Sequence, residues 1–394
     1  MNKNRPRCPI CQGQCKKNGT TSTGTTRWRC TTCGASTTKS RPDLTQAANF
    51  RAFHSYAIGQ RSLTEIGADQ GCDRRTLQRR FHTFWLIDIP CAPDPHRVYD
   101  QVFIDATYTQ AGCLLIASTL DHVLCWHWDK RETTAAYTAL LKQLAPPLCV
   151  VLDGGQGAYS AIKTCWPKTK IQRCLVHAQR VIRRYTTSRP RTDAGKAIYA
   201  LALTLTTITT VEQAADWTAR LHEYGQLYHD FLNEKTILPK ERNPNGDAWE
   251  YTHIRVRKAY NSLMHLHRKK WLFTFLQPPK SALHPHRWKA TTNSLEGGIN
   301  AQLKLLARLH RGRGGERQRR MIEWWLHSKT QLPDDPLDIA RQQRFGQDAL
   351  AKVTALTQPN ESQANQETGR PALYDNAIPT EYQHNIGIQK GTLG

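Results

Sequence analysis

Val102-Phe103-Ile104-Asp105 and Val150-Val151-Leu152-Asp153 decide the reading of this chain, because each is an apolar run that closes on a carboxylate. Burying such a charge beside aliphatic side chains is costly unless something compensates it. A metal ion shared by the two aspartates is an economical compensation. Outward from the first run, residues 98–107, 113–120 and 122–128 alternate as three strands joined by short turns, an antiparallel meander. Residues 132–144 follow helical spacing, and Leu148 to Leu152 form a fourth, fully buried strand. Gly154-Gly155 turn the chain into a helix over 156–164, and a short strand, Ile171 to Cys174, precedes a basic helix that starts near Val176.

Three antiparallel strands, a helix and a further strand ending in aspartate is the element order of an RNase H-like core, so the expected fold class is α/β. In that order Asp105 lies mid-sheet and Asp153 is its neighbour, which brings residues 48 apart in sequence into contact distance. A third carboxylate must come from elsewhere. Thr291-Thr292-Asn293-Ser294-Leu295-Glu296-Gly297-Gly298-Ile299-Asn300 opens a helix that continues through Leu303, Leu306 and Leu309. Glu296 stands near its first turn, where a carboxylate is electrostatically favoured, and Asn293 or Ser294 is a suitable cap. Ser or Asn followed by Glu is also how a capping box looks, so a purely local role remains open.

Acidic residues set to hold metal inside a cationic chain suggest phosphodiester chemistry. Lys and Arg number 55 against 32 Asp and Glu, a net charge of +23. In-line displacement at phosphorus is served by two Mg2+ ions about 3.5–4 Å apart, with Mn2+ as a substitute, and hard cations take carboxylate oxygens. Asp105 is then the ligand common to both ions, with Asp153 and Glu296 each completing one site. His177 is a candidate to hydrogen-bond the scissile phosphate or a leaving oxygen, and a histidine that faces solvent at a helix start fits its position equally. Cys174 reads as packing. From Gln302 to Arg320 the chain carries Lys304, Arg308, Arg311, Arg313, Arg317, Arg319 and Arg320 against the single acid Glu316. A charge run is ordinarily a solvated face, but this one begins a turn beyond Glu296 and is read as a track for the DNA backbone.

Two small modules precede this core. Cys8-Pro9-Ile10-Cys11 and Cys30-Thr31-Thr32-Cys33 are Cys-x-x-Cys knuckles separated by eighteen residues, the spacing of a four-thiolate zinc site. Four unrelated buried cysteines are the bland alternative, and Cys15 is read as structural. Leu63 to Leu77 reads as helix, Gly71 turn and helix, with Ile66, Leu77 and Phe81 on a shared core and Asp73 as N-cap. The second helix displays Arg74, Arg75, Gln78, Arg79 and Arg80 toward phosphates and guanine edges, as in a helix-turn-helix, although Gln70 departs from that pattern and a solvated helical hairpin also fits. The proline-rich stretch from Pro90 to Pro95 marks a boundary.

At 394 residues the chain is long enough for two or three domains. Its longest apolar stretch, Ala197 to Val211, is broken by threonines and falls short of a membrane span, and Met1 to Arg7 lack the apolar core of a signal peptide. A cytoplasmic, nucleoid-associated location is expected, in which the twelve cysteines are ligands or buried hydrophobes.

Asp105 in its strand, Asp153-Gly154-Gly155, Gln172-Arg173-Cys174-Leu175-Val176-His177 and Thr292-Asn293-Ser294-Leu295-Glu296 together resemble the Mutator-type DDE transposases of bacterial insertion sequences. The resemblance extends in layout over residues 5–327. It implies that Cys174-x-x-His177 is the element following the second aspartate, and that the separation of 143 positions from Asp153 to Glu296 accommodates a mostly helical insertion over 184–285. The domains expected are a zinc ribbon over 1–40, a helix-turn-helix over 41–90, a core in two parts over 96–183 and 286–330, and a polar, loose tail over 331–394, with one helix near 336–356. The implied activity is cleavage at the inverted-repeat ends of an element and strand transfer into target double-stranded DNA by a homodimer or larger assembly. A catalytically inert DNA-binding regulator and a structure-specific nuclease on the same fold are the alternatives.

Overall fold

The computed structural model describes residues 5–8, 11, 13–38, 42–238, 249–310 and 312–355, excepting the side chains of residues 42–44, 294 and 296. These residues divide into two units, one drawn from 1–56, 61–87 and 335–355, the other from 57–60 and 88–334.

The first unit begins with a three-stranded antiparallel sheet in the order β1 (Cys15–Thr20), β2 (Thr26–Cys30), β3 (Ser36–Thr38). Its core is little more than Cys8, Cys15, Trp28 and Cys30, too small to hold such a segment folded without a further contribution. Helix α1 (Pro42–Ile58) buries Phe50 and Phe53. Two short helices follow, α2 (Leu63–Asp69) and α3 (Arg74–Arg80). Ser62 and Glu65 close a reciprocal capping box on α2, and Asp73 caps α3 by accepting from the Thr76 amide at 2.6 Å. Gly71 turns the chain at φ 60°, and Ile66, Leu77 and Phe81 are buried, as the sequence pattern anticipates. Gly67 lies so near the chain after the turn that a Cβ there would meet the Cys72 carbonyl oxygen at 2.4 Å. The polar carboxy-terminal stretch is ordered over its first part: helix Pro336–Gln342 buries Leu337 and Ile339, and Phe345 packs 6.1 Å from both Phe50 and Phe84. Residues 356–394 of the expected tail lie outside the described residues.

The second unit is built on a five-stranded sheet in the order β6-β5-β4-β7-β8. Strands β4 (Gln101–Thr109), β5 (Gly112–Ser118) and β6 (Val123–Asp129) form the antiparallel meander. Helix α4 (Thr134–Leu141) crosses to β7 (Cys149–Leu152), which lies parallel to β4; α5 (Gln156–Cys165) crosses to β8 (Lys170–Arg173), parallel to β7. Val102, Ile104, Val150 and Leu152 point into a core shared with Tyr137, Leu140 and Ile162 of the two crossover helices. Phe103 and Val151 point to the other face, where Cys174, Leu295 and Ile299 cover them. Both faces are thus covered, as buried parallel strands require.

Beyond β8 the chain is mainly helical: α6 (Leu175–Thr186), α7 (Asp193–Leu203), α8 (Val211–Leu227), α9 (His229–Asn233), the strand pair β9 (Lys235–Ile237) and β10 (Trp249–Tyr251), and α10 (Ile254–Arg268). Ile182, Ile198, Trp217, Leu221 and Leu263 form their common core. Trp217 is therefore core, while Trp249 is exposed beneath the Lys235 ammonium. A π-helical turn, Ser294–Asn300, then leads into α11 (Ala301–Leu309) and α12 (Gly315–His327). None of the described helices is long and apolar enough to cross a membrane.

Replacing Gly67 by Ala forces the added methyl against the Cys72 carbonyl and overpacks the α2–α3 turn. It is expected to lower stability by about 1–3 kcal/mol, read as a reduced thermal midpoint; an unchanged midpoint refutes the close packing of this turn.

Candidate active site

The register of β4 against β7 pairs Ile104 with Leu152, so the next residue on each strand, Asp105 and Asp153, stands beside the other across one strand spacing of about 4.8 Å. Strand β4 continues to Thr109, so Asp105 is mid-strand, in line with the strand expected over 98–107; both carboxylates are half-buried rather than enclosed. Asp105 Oδ1 accepts from the Ala106 amide at 2.9 Å, and Oδ2 accepts from Asn300 Nδ2 at 2.6 Å. Asp153 Oδ1 accepts from the Gly155 amide at 3.1 Å, an Asx-type turn that closes β7.

Gly154 is confined for two reasons. Its φ is +97°, and the Arg173 guanidinium fills the space a side chain would need, with Nη1 1.8 Å from an ideal Cβ. Burial lowers the Arg173 pKa, and the Asp153 charge works against that shift. A further acid, Glu132, accepts from the Tyr137 hydroxyl at 3.2 Å. Tyr137 has its pKa raised first by burial and then by the charges of Glu132, Asp153 and Asp105, so three carboxylates act on one point. Neither Glu132 nor Asn300 was given a role from sequence; Asn300 ends the Thr-Asn-Ser-Leu-Glu stretch, and Glu132 opens the crossover before α4 without any distinguishing pattern.

Residues 289–300 reach this face through a series of specific links. The Gln101 amide spans the Lys289 backbone, donating to its carbonyl at 2.9 Å and accepting from its amide at 2.8 Å. The Leu175 amide donates to the Ala290 carbonyl at 3.0 Å. The Cys174 thiol accepts from the Thr292 amide at 3.4 Å and from its hydroxyl at 3.3 Å. Leu295 and Ile299 then pack on Phe103 and Val151, and Asn300 closes on Asp105. The backbone of Glu296 lies in the π-helical turn four residues before Asn300, whereas the side chains of Glu296 and Ser294 lie outside the described residues.

His177 sits in the first turn of α6, with Nε2 3.4 Å from Arg180 Nη1. Burial pushes the Cys174 thiol up, but hydrogen bonds from His177 and Thr292 outweigh it and leave the thiol below its ordinary value. Cys174 is therefore more than packing: it joins the end of β8 to the segment that carries Glu296.

The basic residues separate into two kinds. Arg74, Arg75, Arg79 and Arg80 on α3 and Lys304 and Arg308 on α11 are exposed, and Arg313 is half-buried. Arg311 lies outside the described residues. Arg319 and Arg320, counted from sequence with the DNA track, instead pair with the buried Glu323 at 2.9 and 3.0 Å, Arg320 largely covered and Arg319 still partly exposed. Burial raises the Glu323 pKa against the pull of both arginines, so those two cations serve the fold.

In the first unit, Cys8, Cys11, Cys30 and Cys33 bring their four sulfurs within 4.8 Å of one another. The Cys8–Cys33 and Cys11–Cys30 pairs are each 3.5 Å apart, close to the ~3.8 Å edge that a tetrahedron with Zn–S of about 2.3 Å requires. Amides of Cys33 and Thr32 donate to the Cys30 sulfur and hold its pKa down at about 6, the thiolate form a metal binds. The cluster fits a zinc ion. Cys15 is buried beside it but outside the group, in keeping with a structural part.

Residues 97–234 match the family described as Transposase, Mutator family. The matched span is about a third of the chain and contains Asp105, Asp153, Cys174 and His177. It supports a transposase of the Mutator type, and with it DNA as partner. No curated protein matches the chain.

The purified protein is expected to carry one zinc ion per chain, released by a thiol-blocking mercurial and read with a chromogenic chelator. Cys11→Ser or Cys33→Ser should abolish the release and unfold the ribbon. Reduced protein without zinc refutes the site.

Proposed function

We propose that this chain is the transposase of an insertion sequence: it binds the inverted-repeat ends, hydrolyses DNA there and joins the freed 3′ ends to target DNA. The observation that carries this reading is the juxtaposition of Asp105 on β4 and Asp153 just past the end of β7, inside the segment that matches Mutator-family transposases. The strand order β6-β5-β4-β7-β8, with three antiparallel strands followed by two parallel ones, supports an RNase H-like assignment for this unit.

Asp105 and Asp153 offer hard carboxylate oxygens on one side of the sheet, a donor set that fits Mg2+ or Mn2+, with Glu296 as the third ligand. Such ions, when bound, stabilise the charge that develops on the attacking and leaving oxygens of an in-line displacement. The chain's own residues fix the geometry. Asn300 holds the Asp105 carboxylate in one orientation, the Gly155 amide does so for Asp153, and the Cys174–Thr292 link anchors the segment that contains Glu296. His177 hydrogen-bonds a phosphate oxygen of the bound strand. The exposed arginines of α3 hold end DNA as the second helix of a helix-turn-helix, and Lys304, Arg308, Arg311 and Arg313 follow its backbone. Pairing two ends before cleavage calls for at least a dimer.

Asp105→Asn is expected to abolish cleavage of end DNA in Mg2+, by a factor of a thousand or more, while affinity for the same DNA stays within about twofold; removing an essential metal ligand acts on the transition state rather than on DNA binding. Full cleavage by this variant refutes the catalytic assignment.

A further inference from the structure

We infer that the cavity at the carboxyl ends of β7 and β8 is a binding pocket for one unpaired nucleotide of the DNA substrate. The inference rests on the reading that the chain acts on DNA. The cavity encloses about 390 Å3, within the range of small-molecule sites, and opens between Gly154, the residue after Asp153, and α10. Its polar lining includes Arg173, His265 and Lys269 beside the neutral Gln156 and Ser262, and none of its lining residues is an acid. The Arg173 guanidinium has no ion pair and no side-chain hydrogen bond among the described residues, and its Nη1 is a buried donor without an acceptor. A cation kept partly out of water without an anionic partner in contact is costly, and a phosphate supplies that partner.

The aromatic part of the lining is equally specific. Tyr159 of α5 and Trp271 lie with ring centroids 5.0 Å apart at a tilt of 56°, and His265 meets the edge of Trp271 at 6.0 Å. Trp271 is half-buried, unlike the core residue Trp217, and thus leaves ring surface facing the cavity. Its position is fixed by its own backbone, whose carbonyl accepts from the Arg173 amide at 2.8 Å. Aromatic surface beside phosphate-binding cations is the pairing that holds a single-stranded nucleotide: the base meets the ring and the backbone phosphate meets the cation. A base in a duplex cannot enter such a pocket, so the occupant is a nucleotide already unpaired or drawn out of the stack next to the aspartate pair.

The test uses the full-length protein and two DNAs of the element's end sequence, one blunt and one with a four-nucleotide single-stranded overhang carrying 5-iododeoxyuridine. Irradiation should crosslink the overhang to the tryptic peptides that contain Tyr159 or Trp271. Trp271→Ala should weaken binding of the overhang DNA about tenfold and leave the blunt duplex unchanged. Lys269→Gln, at an exposed position that does not threaten folding, should lower the salt dependence of overhang binding by about 0.7 in log–log slope. Crosslinks confined to other peptides, or equal losses on both DNAs, overturn the pocket and leave the transposase reading intact. Failure of the unaltered protein to bind either DNA overturns both.

Discussion

Parallel pairing of β4 with β7 is the constraint on which the remainder of the second unit depends. A parallel pair cannot be closed by a hairpin, so the chain must cross over through α4, and that crossover covers one face of the sheet. The other face would stay open, with Phe103 and Val151 in water, unless a distant segment returned to it; Leu295 and Ile299 are what returns. Side chains alternate with a period of two, so Asp105 shares the face of Phe103 and meets the returning segment. A slip of one residue in this register would send the aspartate to the crossover-helix face and leave an aliphatic side chain in its place. Hydrophobic burial thus sets where the charge appears.

The return itself is held by polar groups more than by area. Gln101 and Gln172 are fully or nearly buried, and each uses its amide to bind backbone of a segment remote in sequence: Gln101 at Lys289, Gln172 at Leu272 and Phe275. Such links contribute modestly when made and cost more when broken, because the orphaned partner remains buried. They select one placement of the segment among many of similar apolar burial. The proposed metal-binding role of the carboxylates depends on this, since a ligand displaced by an ångström would lose much of its use in catalysis.

How much of this was legible depends on the kind of signal. Strands and crossover helices of residues 101–186 follow from alternation and apolar runs, and their observed bounds fall within a few residues of those expected. The two Cys-x-x-Cys knuckles and the Asp73 cap are local patterns with one geometric solution each. The π-helical turn over 294–300 was not legible, since Gly297-Gly298 loosen the helix but nothing local encodes its widened hydrogen bonding. Nor was the bond from Asn300 to Asp105, which joins residues 195 apart. The charge run misled at Arg319 and Arg320 because composition does not reveal which face of α12 a residue occupies; Glu323, the acid they meet, lies just past the end of the run. Polar composition likewise concealed Leu337, Ile339 and Phe345.

Net charge therefore overstates the field available to a polyanion. Arg287 is held by Asp121, and Arg319 and Arg320 by Glu323, with Asp88 also on Arg320; each such group is locally neutral and adds little at a distance. Exposed cations without an ion pair among the described residues, such as Arg74, Arg75 and Arg79 of α3 and Arg308 of α11, are the ones left to attract a polyanion. That attraction is indifferent to sequence, because phosphates present the same oxygens everywhere. On the function proposed above, recognition of particular DNA ends would reside in the few side chains able to reach base edges, and α3, at seven residues, offers room for only two or three of them. Affinity spread over many arginines with selectivity confined to few side chains is what the proposed function requires, since such a protein would engage specific ends and then accept unrelated target DNA.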